Sequence, residues 1–273
     1  MKFSKMHGLG NDFLIFEDDG EQRNWRALAK TLCARRIGVG ADGLVVIMAS
    51  DIADARMRII NADGSEAEMC GNAIRCFAKY VYENGMVKKT QMKVETIAGI
   101  IRPMLTIEGD KVTQITVDMG KPSFERANIP MSGQGSTFDV PIDIGGQQAI
   151  VSALLMGVPH AVVLVDDIEK TDTAAYGPRL EAHEMFPKKI NVNFTQVLNK
   201  DNVKVKTFER GVGFTMACGT GSCAVVAALY KKGVIRSKAT VHLAVGNLVI
   251  EVLDDDTVLM SGPAALVYRA ELK

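Results

Sequence analysis

Five cysteines occur in the 273-residue chain, at positions 33, 70, 76, 218 and 223, and two of them share one setting. Cys70 opens the run CGNAIRCFAKYVYEN and Cys218 opens CGTGSCAVVAALYKK. Each cysteine is followed by glycine, then by a tyrosine (Tyr82, Tyr230) and a second glycine (Gly85, Gly233) at the same distances. Both runs read as helices that begin at Cys-Gly and stop at the later glycine. A thiol at a helix start faces unpaired backbone N–H groups and the positive end of the helix dipole, which favour the thiolate. Gly71 and Gly219 let an anion approach the same N–H groups. Two such thiols, one in each half of a chain, suit the inversion of a stereocentre. One removes a proton from one face of a carbon as the other delivers a proton to the opposite face.

An unpaired cysteine is most often a small buried hydrophobe, and Cys33, Cys76 and Cys223 are read that way. The shared spacing sets Cys70 and Cys218 apart. A zinc site is not expected. Cys-x5-Cys and Cys-x4-Cys within helices are not zinc-knuckle spacings, and the chain has 4 histidines.

The elements that must position the two thiols also repeat, at an offset of about 148 residues. Asn61 ends a strand-like run before Cys70, and Glu209 ends one before Cys218. VETIAGI (94–100) parallels VHLAVGN (241–247). The apolar runs at 44–48, 115–117, 161–165, 202–208 and 247–253 read as strands. The second helix is apolar almost all round and should be buried. A further helix is expected near 24–36. Many strands about one buried helix per half is an α+β arrangement, and the strand spacing shows no regular βαβ winding. The turn-prone MGKPS (119–123) marks the expected domain boundary. GVGADG (38–43) fits a dinucleotide fingerprint in letters only. It follows a helix and leads into a strand, the reverse of the required order, and is read as a turn. The sequon-like Asn193-Phe194-Thr195 carries little meaning in a cytosolic chain.

Composition excludes several classes. Lys plus Arg equals Asp plus Glu at 32 each, so the chain lacks the field that nucleic-acid or anionic-membrane binding needs. The start, MKFSKMHGLGNDF, lacks the apolar run of a signal peptide, and no stretch is long and apolar enough to span a membrane. A cytoplasmic location with reduced thiols is expected.

KMHGLGNDF (5–13), NADGSEAEMCGN (61–72), MGxPH (156–160), FPKKINVNF (186–194), ERGVG (209–213) and ACGTGSC (217–223) together resemble the diaminopimelate epimerase family over essentially the whole chain. The resemblance implies two pseudo-symmetric lobes, each a mainly antiparallel, β-barrel-like sheet around a central helix, with substrate in the cleft. Lobe boundaries of 1–118 plus a returning strand at 264–273, and 119–263, follow from it. It implies epimerisation of the L,L and meso isomers of diaminopimelate, for lysine and peptidoglycan synthesis, with no cofactor and no metal. Cys70 and Cys218 are then the catalytic thiols, with His160 and Glu209 orienting or deprotonating them. Gly71, Asn72, Gly219 and Thr220 form the carboxylate-binding turns, and Asn11, Asn61, Asn191, Glu209 and Arg210 hold the substrate's polar ends. A homodimer is implied by resemblance alone. Two positions depart from the family pattern: Val158 stands where asparagine is usual in Gly-Asn-Pro-His, and Phe214 where glutamate is usual in ERGxGET. They motivate an alternative, the same two-thiol chemistry on another amino acid such as histidine.

Overall fold

The computed structural model describes residues 1–272, which form two compact units. One comprises Met1–Asp118 and the residues from Ser261 onward; the other is Met119–Met260. Four helices occur among the described residues: α1 (Trp25–Leu32), α2 (Gly71–Glu83), α3 (Thr173–Glu181) and α4 (Gly219–Lys231). None is long and apolar enough to cross a membrane.

In the first unit the strand order is Ala265–Glu271, Lys2–Gly8, Asn11–Glu17, Gly43–Met48, Ala55–Asn61, Val94–Thr96 and Gly99–Ile101, with Glu66–Ala67 also paired to Ala55–Asn61. In the second the sheet runs Val140–Asp143, Gln148–Met156, Val158–Leu164, Asn191–Asn199, Asn202–Glu209, Lys238–Leu243 and Gly246–Val252 and continues past these into Val258–Gly262, with Gly213–Thr215 on Asn202–Glu209. The run from Val140–Asp143 to Gly246–Val252 matches the first order strand for strand. So do the directions, including parallel pairing of Asn11–Glu17 with Gly43–Met48, and of Val158–Leu164 with Asn191–Asn199. Ala55–Asn61 with Val94–Thr96, and Asn202–Glu209 with Lys238–Leu243, are the other parallel pairs.

These pairings bear out the expected α+β architecture of two sheets with central helices and revise one expectation. The sheets are open: among the described residues the end strands of each order do not pair with one another, so neither sheet closes into a barrel. The sequence shows no βαβ winding, yet each of these parallel pairs is joined through one of the four helices. A parallel neighbour cannot be reached by a tight turn, so the chain must cross over. The apolar runs hide this, because a strand buried on both faces reads alike in either direction. Phe13, Leu14, Ile15 and Phe16 are all buried: Leu14 and Phe16 pack with Trp25 and Ala29 of α1, and the alternate residues point the other way. Ala161 and Val163 likewise pack with Leu180 of α3. α3 is not among the helices expected from the sequence, and it contains Gly177 and Pro178, residues that disfavour a helix locally. There Asp172 caps α3 by accepting from the Ala175 N–H, and Gly177 allows close packing, since a Cβ there would lie 2.8 Å from the Phe208 ring.

α2 and α4 are each 13 residues long and buried along most of their length. α2 contacts four consecutive strands of its sheet, and α4 contacts Gln148–Met156, Val158–Leu164, Asn191–Asn199, Lys238–Leu243 and Gly246–Val252, so each helix lies against most of its sheet. Their ends are built alike. The N–H groups of Gly85 and Gly233 donate to Tyr82 and Tyr230 carbonyls, and those of Met86 and Val234 donate to Val81 and Leu229. This closure turns the chain through glycines at φ +73° and +71°. An added Cβ would meet nothing within 4 Å at either glycine, so only backbone conformation demands it there. Gly85→Ala and Gly233→Ala are each expected to lower unfolding free energy by about 1 kcal/mol in urea melts. A loss at one glycine and none at the other would show that the two turns are not equivalent.

Candidate active site

In the first unit Cys70 is the residue just before α2, extended at φ −145° and ψ 122° and half-buried. Its Sγ lies 3.7 Å from Asn11 Oδ1. Asn11 is the first residue of its strand, placed there by a two-residue turn with both central residues, Leu9 and Gly10, at positive φ. Asn72 Nδ2 donates to the same Asn11 oxygen at 3.0 Å, and Asn11 Nδ2 donates to Asp42 Oδ2 at 2.7 Å. Behind Asn72, the fully buried Arg75 donates to Asn72 Oδ1 (2.9 Å), to the Gly71 carbonyl (3.0 Å) and to the Pro263 carbonyl (3.2 Å). Gly8 packs closely here: a Cβ would lie 3.0 Å from Arg75 Nη2 and 3.1 Å from the Asn72 carbonyl oxygen. Arg35 pairs with Asp42 (2.6 Å) and Asp12 (2.7 Å), and Lys5 pairs with Asp12 (2.8 Å). Burial alone would raise the Asp12 carboxyl, but hydrogen bonds from Arg35 and Lys5 hold it below the usual range. Asn61 is exposed and donates to Ser65 Oγ at 2.9 Å, which in turn donates to Asp63.

In the second unit Cys218 stands at the same point before α4, at φ −115° and ψ 111°, and is buried. Its Sγ accepts the Gly221 N–H at 3.4 Å and lies 3.5 Å from Thr220 Oγ1. Gly219 begins the helix and is buried. Gly221 cannot carry a side chain: a Cβ would sit 2.3 Å from Asn193 Oδ1. Asn193 is held by Thr207 Oγ1, which donates to its Oδ1 at 3.0 Å, and by donation from its own Nδ2 to the Ala161 carbonyl at 3.1 Å. That Nδ2 is also 3.2 Å from His160 Nδ1.

His160 is fully buried, and its Nε2 has no hydrogen-bond partner among the described residues. Burial, helped by the Arg210 charge, pushes the imidazole down to about 3, so it is neutral at ordinary pH. Glu209 accepts from Thr215 Oγ1. Asn191 fastens the turn that follows, accepting from the Arg210 N–H and donating to the Pro159 carbonyl, both at 2.9 Å. The Arg210 guanidinium donates to the Lys188 carbonyl at 3.1 Å. Buried Glu181 secures the same turn by accepting the Gly211 N–H at 2.8 Å.

Within its own unit, the structure therefore gathers Asn11, Cys70, Gly71 and Asn72 into one cluster, with Asn61 on a separate bond. In the other unit it links Cys218 to Thr220, and Asn191 to Arg210. Arg75, Asp42, Asn193, Gly221 and Glu181 are parts that the sequence reading does not assign to the site. Asn193 had a signal: Asn191, Asn193 and Thr195 alternate through an apolar strand, and all three are buried. With Asn193 and Thr195 at 0% exposure, the sequon is closed to a glycan in the folded chain. Phe214 stands directly opposite Phe208 across two strands, ring centroids 5.2 Å apart at 86°, so its ring is used in packing. Val158 is half-exposed at the start of its strand, the place Asn11 holds in the first unit. Cys33, Cys76 and Cys223 are buried, and burial raises the Cys33 and Cys76 thiols to about 11 and about 12. Grooves of about 440 Å³, beside Ile150 and Tyr176, and about 730 Å³, beside Phe3 and Tyr80, are lined by none of the expected site residues. Among the described residues no group of three His, Cys, Asp or Glu side chains could hold a metal ion.

The buried imidazole makes stability depend on pH. Between about 3 and the ordinary 6.5, the unfolded chain takes up a proton that folded His160 refuses, so stability rises with pH across that window. The contribution lost on acidification reaches roughly 5 kcal/mol. His160→Gln is expected to flatten the slope of unfolding free energy against pH in this range. An unchanged slope would contradict a neutral buried His160.

The family model described as diaminopimelate epimerase matches residues 3–125 and 152–267, which include both cysteine turns. Proteins named diaminopimelate epimerase are similar over nearly the whole chain. That of Moorella thermoacetica is 48% identical over 99% of this chain and 99% of its own length, and that of Desulforudis audaxviator is 50% identical over 98% of each. Among solved structures, a phenazine biosynthesis protein of the PhzF family from Bacillus anthracis superposes with a TM-score of 0.76 at 16% identity, covering 100% of this chain and 99% of that one. A hydroxyproline epimerase from Agrobacterium vitis gives 0.71 at 16% identity, covering 99% and 91%. Likeness at that identity shows the fold alone. The repeated helix-start cysteines, the matched family model and the full-length relatives lead to one conclusion: the chain belongs to the diaminopimelate epimerase family.

Proposed function

We propose that this chain is an isomerase that inverts one α-carbon of diaminopimelate, interconverting the L,L and meso isomers, with Cys70 and Cys218 as the acid and base. The observation that carries the chemistry is the recurrence, in two matched units, of a cysteine at the start of a 13-residue buried helix. Relatives at 48% and 50% identity supply the substrate by their names. A place in lysine and peptidoglycan synthesis, in the cytoplasm, accompanies that substrate, and a homodimer is the assembly we propose.

Each residue has a task in this reading. The N–H groups of Gly71, Asn72, Gly219 and Thr220 receive the carboxylate beside the reacting carbon and stabilise it as it gains enolate character. Arg210, its backbone fixed by Asn191 and Glu181, offers a bidentate clamp for the distal carboxylate. Asn11 and Asn61 hold further polar groups of the substrate. His160, neutral and buried, can accept a proton, and Glu209 can assist in orienting or deprotonating a thiol. Neither a pyridoxal cofactor nor a metal enters the scheme, because proton removal and return are both assigned to side chains.

A second reading, racemisation of an amino acid such as histidine, rests on the half-exposed Val158 in place of a polar residue. A panel of amino acids in heavy water separates the two. Diaminopimelate is expected to exchange its α-proton and histidine is not; rapid deuteration of histidine with none of diaminopimelate would overturn the first reading. Cys70→Ala and Cys218→Ala should each lower the inversion rate by about a thousandfold or more, with activity indifferent to added pyridoxal phosphate or chelator. Near wild-type inversion by either variant would contradict the two-thiol scheme.

A further inference from the structure

The loop GVGADG (38–43) reads as no more than a turn, yet its Asp42 touches the surroundings of two residues expected to bind substrate. The Asp42 side chain accepts from Asn11 Nδ2 at 2.7 Å. Its backbone carbonyl accepts from the Ala62 N–H at 3.0 Å, in the turn that follows Asn61. We propose that Asp42 is a positioning residue of the substrate site, orienting the Asn11 amide so that this side chain meets substrate only as a hydrogen-bond donor. The assignment rests on the reading of Asn11 as a substrate-binding residue, and adds what holds it and which of its atoms it offers.

Asp42 is itself fixed on three sides. Its N–H donates to the Asp12 carbonyl at 2.8 Å, and the Asp12 N–H donates to Asp42 Oδ2 at 3.0 Å. These bonds stand where the parallel pairing of Asn11–Glu17 with Gly43–Met48 begins. Arg35 Nη2 donates to Asp42 Oδ1 at 2.6 Å and to Asp12 Oδ1 at 2.7 Å. One carboxylate oxygen is therefore engaged by the guanidinium, and the other is shared by Asn11 and the Asp12 N–H. A carboxylate paired with arginine only accepts, so the nitrogen of Asn11 must lie on the Asp42 side.

The opposite end of the amide agrees. Asn72 Nδ2 donates to Asn11 Oδ1 at 3.0 Å. Asn72 keeps its nitrogen there because Arg75, which can only donate, bonds Asn72 Oδ1 at 2.9 Å. Flipping Asn11 would set oxygen against oxygen at Asp42 and N–H against N–H at Asn72. Its oxygen is thus engaged within the protein. Asp42 takes one of the two Nδ2 protons, and the other has no partner among the described residues. Asn11 is half-buried, so this second N–H is the group it can offer. The chemistry that fits it is an acceptor, a carboxylate oxygen of the substrate, and not an ammonium group.

A pin between two strands would matter whatever side chain stood at position 11; a positioning residue acts through Asn11. A double-mutant cycle separates the two roles. Asp42→Asn keeps the shape and loses the pattern: Arg35 claims the new amide's oxygen, and its nitrogen is left facing two donors, Asn11 Nδ2 and the Asp12 N–H. With diaminopimelate as the probe, Asp42→Asn is expected to lower kcat/KM by about tenfold or more. In an Asn11→Ala background the same substitution should lower it by less than about twofold. An equal fall in both backgrounds would overturn the proposal.

A second measurement needs no substrate. In NMR spectra of the substrate-free protein, with the Asn11 side-chain amide assigned by its loss in Asn11→Ala, one Nδ2 proton is expected well downfield of ordinary asparagine amides. Both protons at ordinary positions would overturn the hold of Asp42 on Asn11, whether or not Asp42→Asn folds. If no amino acid exchanges its α-proton, the epimerase reading fails, and the spectrum still decides whether Asp42 orients Asn11.

Discussion

The first turn of an α-helix leaves backbone N–H groups with no partner inside the helix, and a buried helix cannot leave them to water. In this chain that constraint falls twice on a cysteine followed by glycine. At α4 the sulfur itself meets part of it by accepting the Gly221 N–H. The remaining amides are what an anionic substrate group would need. Burial of α2 and α4 against their sheets shields those amides from solvent and fixes their direction, so packing and chemistry share one cause.

A repeated backbone has been given two different sets of side chains. Where the first unit has Asn11 at the start of a strand, the second has Val158; where the first has Phe13 opposite Gly43, the second has His160 opposite Asn191. Ala73 and Gly221 occupy the third helical position of α2 and α4, and only the second lies against an asparagine oxygen. Cross-strand pairs diverge in the same way: Glu66 opposite Ile60 bonds to Arg58, while Phe214 opposite Phe208 stacks edge-on. The repeat is therefore one of backbone, and the polar surroundings of the two cysteine turns differ.

Much of this was legible in the sequence, and the exceptions have physical reasons. Cys-Gly spacing located both helix starts, and the closing glycines located both helix ends, because helix termini have local chemistry that one residue can signal. The apolar runs marked the strands. Their parallel pairing was hidden because FLIF and LVVIM are buried on both faces and lose the alternation that direction could be read from. α3 was hidden by Gly177-Pro178, residues that discourage a helix locally but here permit its close approach to Phe208. Arg75 and Asn193 read as ordinary polar residues, and their burial follows only from what folds over them. The roles carried by resemblance fell on residues that cluster within each unit, and the resemblance did not indicate the polarity of the bonds around them.

The central claim is that one thiol removes the α-proton and a different thiol returns one. The most direct measurement is the site of isotope entry when L,L-diaminopimelate is converted in heavy water, sampled at low conversion by mass spectrometry of the separated isomers. Two thiols give a meso product carrying deuterium at the inverted carbon while the remaining L,L substrate is unlabelled. Deuterium in recovered substrate at the rate it enters product, or product that retains its original proton, would show a single group working on both faces and contradict the account.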